Sequence, residues 1–214
     1  MRWRDHSEVP DLYRPRLMLV TDRIVAGGED ALVEKTALAV EGGVDWVQVR
    51  EKDMGVDDLV RLVRRIVKVV AGRAKVVVNG SLQAAVGGGA DGVHLPESAD
   101  MVRHHGMIVG RSVHSPPEAS DAEEEGVDYI VAGPVFATAT HAGMNPLGLG
   151  LITDIAERVA TPIIAIGGIN AHRAAAVIVT GASGIAVVRA ILEAPDPRLE
   201  AHLLREAMEG AKGL

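Results

Sequence analysis

Gln48, Arg50 and Lys52 occupy alternate positions of the run VDWVQVREKD (44–53), with Val47 and Val49 on the other parity. Arginine offers a planar fork to phosphate or carboxylate, and lysine a compact point charge. A cationic pair on one parity therefore suits an anionic ligand. Arg50-Glu51-Lys52-Asp53 also reads as a plain solvated charged loop, but the shared parity with Gln48 favours the binding reading. A second alternating set lies in VGRSVHS (109–115), where Gly110, Ser112 and His114 share one parity and Val109 and Val113 the other. Histidine has an ordinary pKa of about 6.5 and suits proton transfer near neutrality. A structural imidazole, or a cap on the following helix, accounts for His114 equally well.

Further candidates carry weaker signals. Asn79-Gly80 is a strong turn dipeptide, and Asn79 serves equally well as a turn former or as a ligand contact. His94, alone on an apolar run, reads as a hydrogen-bonded core residue. Gly167 and Gly168 separate an apolar run from a helical one, where glycines let backbone N–H groups approach an anion; a tight turn alone also explains them. The stretch PVFATATHAGMNPLGLG (134–150) is long and rich in small residues, as active-site lids are, and brings Thr138, Thr140 and His141 within reach of a ligand.

These residues need elements to position them. Short Val- and Ile-rich runs at 17–22, 44–53, 74–80, 91–95, 107–114, 128–136, 161–169 and 183–191 alternate with helical segments near 29–42, 56–72, 81–88, 97–104, within SPPEASDAEEEG (115–126), near 150–159, 170–179 and 197–212. In the second helical segment Leu59, Leu62, Ile66 and Val70 fall at spacings of three and four, which makes one apolar face. Strict β-then-α alternation predicts a parallel sheet. Eight such units predict an α/β fold closed into a (β/α)8 TIM barrel, with an open doubly wound sheet as the alternative. Residues 1–15 fall outside the count as an N-terminal arm, and residues 16–214 make a single barrel domain. Strand side chains alternate between interior and outer layer, and barrel active sites gather at the C-terminal strand ends. That geometry turns Gln48, Arg50, Lys52, Asn79, Ser112 and His114 toward one mouth. Loops after strands 7 and 8 often hold phosphate, which adds Gly167 and Gly168.

Composition narrows the function. Net charge is -7 with acids and bases interspersed, which is unlike a nucleic-acid footprint. No apolar run is long enough to span a bilayer, and the charged first residues lack the apolar core of a secretory signal. The chain has no cysteine, which excludes disulfides and thiolate chemistry and suits a cytoplasmic protein. No carboxylates pair at the strand ends, so no metal is expected. The expected partners are small molecules, not nucleic acid or membrane, and apolar outer helices leave room for a homo-oligomer.

Taken together, TDR (21–23), QVREKD (48–53), VVVNG (76–80), DGVHL (91–95), GPVFATAT (133–140), IAIGGI (164–169) and GIAVVRAI (184–191) resemble the thiamine phosphate synthase/TenI superfamily over nearly the whole chain. The resemblance implies a TIM barrel and two rival activities. Synthases join a pyrimidine pyrophosphate to a thiazole phosphate with Mg²⁺, using one aspartate after strand 3 and another after strand 4. Here those positions hold Gly80 and Ala99, with Asp100 one residue out of register, and His141 replaces the lysine of a Thr-x-Thr-Lys loop. At these places the chain looks like the TenI-type thiazole tautomerases, isomerases that aromatise a carboxythiazole phosphate without metal or cofactor. The expectation is therefore a tautomerase of thiamine biosynthesis. His114 would be its acid/base, Gly167, Gly168, Val187 and Val188 would hold the phosphate, Arg50 and Lys52 would neutralise charge, and Asn79 and Thr138 would orient the ring. The alternatives are a thiamine phosphate synthase and a non-catalytic regulatory relative that binds thiazole phosphate or thiamine phosphate.

Overall fold

In the computed structural model, residues 17–102, 104–138 and 145–211 are described. The N-terminal arm, Thr140 and His141 lie outside them. The strands are β1 (Leu17–Val20), β2 (Trp46–Val49), β3 (Lys75–Asn79), β4 (Gly92–Leu95), β5 (Ile108–Val113), β6 (Tyr129–Ala132), β7 (Ile163–Ile166) and β8 (Gly184–Val187). Each pairs in parallel with the next, and β8 returns to β1, so the sheet is a closed barrel in chain order. The (β/α)8 expectation holds, and the open-sheet alternative does not.

The helices of the outer layer are α1 (Arg23–Ala26), α2 (Glu29–Glu41), α3 (Val56–Val70), α4 (Leu82–Gly88), α5 (Pro116–Glu125), α6 (Gly148–Ala156), α7 (Ala171–Ile178), α8 (Arg189–Leu192) and α9 (Pro197–Gly210). Helix α3 buries Leu59, Leu62, Ile66 and Val70 together with Val63, as its spacing requires. Ser115 caps α5, accepting from the Glu118 N–H, with Pro116 in the first turn.

The helix expected near 97–104 does not form among the described residues; Glu97 and Ser98 make a turn instead. The reason lies on β5. Arg111 is buried on the outer parity, and its Nη1 donates to the carbonyls of Pro96, Glu97 and Ala99 at 3.4, 2.8 and 2.8 Å. Carbonyls that a helix would use for itself are turned onto a guanidinium. The eighth apolar run is also shorter than expected, because the strand stops at Val187 and Arg189–Leu192 is the helix α8.

Two cores follow from strand parity. One fills the space between barrel and helices. The other lies inside the barrel and is built on Met18, Trp46, Val77, Tyr129, Val131 and Ile164. Trp46 and Tyr129 meet edge to face, with ring centroids 5.0 Å apart, a favoured arrangement for aromatic pairs. Gly110 faces this floor. A Cβ there would stand 2.1 Å from the Tyr129 ring, so the space that the glycine leaves is taken by tyrosine and not left open for a ligand.

Candidate active site

A cavity of about 480 Å³ opens at the C-terminal ends of the strands. Arg50 and Lys52 reach it from beyond β2, Asn79 from the end of β3, and His114 from beyond β5. Thr138 lines it from the segment after β6, Gly167 and Gly168 from the turn after β7, and Val187 and Val188 from the end of β8. The structure thus brings these nine residues expected from the sequence to one cavity, while Thr140 and His141 lie outside the described residues.

The charged run after β2 is only partly solvated: Lys52 and Asp53 are exposed, but Glu51 is not. Glu51 is buried and accepts from the Thr21 hydroxyl at 2.7 Å, from the Arg23 backbone N–H at 3.1 Å and from Arg23 Nη1 at 3.1 Å. Asp53 takes the other side of the same guanidinium at 2.6 and 2.7 Å, and Arg23 holds the Asp53 carboxyl below its usual range. Acids therefore face Arg23 on one side of the segment while Arg50 and Lys52 line the cavity on the other. The mixed charges of TDR and REKD were the sequence signal for this arrangement.

Two histidines among the described residues line the cavity and differ in kind. His94 is buried, with Nδ1 3.1 Å from the Tyr129 hydroxyl and Nε2 2.9 Å from Ser112 Oγ. Burial, helped by the charges of Arg50 and Arg111, pushes its pKa down to about 3, so the ring is neutral near pH 7. It is the hydrogen-bonded core residue expected from the sequence. His114 is half-exposed. Its Nδ1 lies 2.5 Å from the Gly133 carbonyl, which can only accept, so Nδ1 carries a proton there. Nε2 then faces Glu97 Oε2 at 3.5 Å. Glu97, absent from the sequence-derived set, reaches the mouth because Arg111 holds its turn.

The glycine pair is fixed by geometry. Gly167 and Gly168 have φ of +109° and +63°, and a Cβ on Gly167 would stand 2.7 Å from Pro134 Cα. The turn reading of these glycines is therefore correct, and they also line the cavity. Arg189, beside them at the mouth, pairs with Glu193.

The donor set does not fit a resident hard cation. Glu97 is the one carboxylate among the described residues lining the cavity, and Gly80 and Ala99 supply no side-chain oxygen where the superfamily has aspartates. No three His, Cys, Asp or Glu residues cluster closely enough to hold a metal among the described residues.

The profile of a family described as thiamine monophosphate synthase matches residues 17–191. The chain belongs to that family. Relatives agree over almost the whole length. A thiamine-phosphate synthase of Thermus thermophilus is 40% identical over 204 residues, covering 91% of this chain and 98% of its own. One from Methanospirillum hungatei is 39% identical over 189 residues, covering 84% of this chain and 91% of its own. Among solved structures, the thiamine phosphate pyrophosphorylase of Pyrococcus furiosus superposes with a TM-score of 0.83 at 32% identity, covering 94% of this chain and 98% of its own. These findings overturn the tautomerase expectation, since the relatives named at this similarity are synthases. That expectation rested on Gly80 and Ala99. Two missing carboxylates limit which ion the side chains can hold, and they leave unchanged the cationic wall of Arg50 and Lys52.

Proposed function

We propose that this family member is a transferase of the thiamine-phosphate synthase type, joining a pyrimidine pyrophosphate to a thiazole phosphate in the cavity at the barrel mouth. The observation that carries the reading is the 40% identity to the Thermus synthase across 98% of that protein. The site residues take matching roles. Arg50 and Lys52 hold the pyrophosphate and meet the negative charge that grows on it as its bond to carbon breaks. The backbone at Gly167, Gly168, Val187 and Val188 receives the thiazole phosphate, as the loops after strands 7 and 8 do in many barrels. Asn79 and Thr138 orient the two rings, and His114 presents Nε2 as the proton-handling group of the mouth. No step is assigned to a metal, because the side chains do not fit one.

The test is to incubate the protein with both substrates, with and without added Mg²⁺, and to measure thiamine phosphate by chromatography. Product is expected with the wild type and falls on the order of a hundredfold in rate on Arg50→Ala. Thiamine phosphate no higher than in the protein-free control, under either condition, sinks the reading.

A further inference from the structure

Arg23 does not line the cavity, yet it holds the segment that does. Its guanidinium bridges Glu51 at 3.1 Å and Asp53 at 2.6 and 2.7 Å. These residues alternate with Arg50 and Lys52. Thr21 completes the frame, because its hydroxyl donates to Glu51 at 2.7 Å and accepts the Arg50 N–H at 2.9 Å. The Thr21 N–H donates to the Gln48 carbonyl at 2.9 Å. The end of β2 is thus tied to the end of β1 at Gln48, Arg50, Glu51 and Asp53. Lysine could not replace the bridge, since one ammonium lacks the fork that spans two carboxylates.

We infer that Arg23, with Thr21, is a positioning residue that sets the anion-binding geometry of Arg50 and Lys52 without touching the ligand. The inference rests on the proposed function for the identity of the anion. The rival explanations are that Arg23 only stabilises the fold, or that it attracts the anion through its own charge.

Inorganic pyrophosphate is the probe, titrated calorimetrically into wild-type protein and variants whose folding is checked by circular dichroism. Arg23→Gln is expected to weaken binding on the order of tenfold, the scale seen when a supporting partner of a binding group is lost. Arg23→Lys keeps the charge and is expected to bind as weakly. Arg50→Ala should then cost little in the Arg23→Gln background, because a misplaced Arg50 has little left to lose. Thr21→Val should weaken binding and Thr21→Ser restore it, which keeps the test open if Arg23→Gln does not fold. Three results overturn the inference: wild-type affinity in folded Arg23→Gln, recovery by lysine, or an equal cost of Arg50→Ala in both backgrounds. Wild-type protein that binds no pyrophosphate is a different failure, which overturns the proposed function and this inference with it.

Discussion

The Arg111 guanidinium, rooted on β5, donates from 2.8 Å to the carbonyl of Glu97, whose carboxylate faces His114. Outer-layer packing is thereby linked to the wall of the cavity. Arg111→Met removes a charged donor from three carbonyls and from Glu125. The expected loss is about 2 kcal/mol or more of stability, the scale for charge-assisted hydrogen bonds left unmade. Urea unfolding measures it, and a loss within about 0.5 kcal/mol, the scatter of ordinary surface changes, counts against the clamp.

Gly110→Ala drives a methyl group into the Tyr129 ring. Overpacking of this kind costs about 1–3 kcal/mol. The same measurement applies, and Tyr129→Leu in the Gly110→Ala background should recover part of the loss by vacating the ring's volume. A neutral Gly110→Ala would mean that the floor is looser than its distances imply.

His94 makes stability depend on pH. Its folded pKa is depressed to about 3, while the unfolded imidazole titrates near about 6.5. Between those values the unfolded chain binds a proton that the folded one refuses, so stability falls as pH drops through that window. The slope approaches about 1.4 kcal/mol per pH unit for one such group. His94→Asn should flatten the profile from pH 6 to pH 4. An unchanged slope in the variant would assign the acid sensitivity elsewhere.

Arg50→Ala and Lys52→Ala are each expected to lower kcat/KM for thiamine phosphate formation on the order of a hundredfold, as for loss of one preorganised charge stabiliser. His94→Asn should cost far less, since its ring nitrogens are committed to Tyr129 and Ser112. Steady-state kinetics on the purified variants decides between these outcomes.

Much of this was readable from alternation alone. Val47, Val49, Leu59 and Ile66 announce their faces by period, and parity was enough to send Arg50, Lys52 and His114 to one mouth. What parity could not supply was the partner of each opposite-facing charge. Glu51 reads as solvated in the sequence because Thr21 and Arg23, which enclose it, lie about 30 residues away in the chain. Likewise, a polar stretch at 97–104 looked helical because the competitor for its carbonyls, Arg111, sits on the next strand. The branch assignment failed for a related reason: Gly80 and Ala99 are two positions, whereas similarity to the synthases extends along the whole barrel.

Below the cavity, Trp46 and Tyr129 fill the barrel from wall to wall with buried rings. Among the described residues, the floor of the chamber is therefore closed by side chains. Under the proposed function, both reactants would enter from the mouth and the joined product would leave on that side.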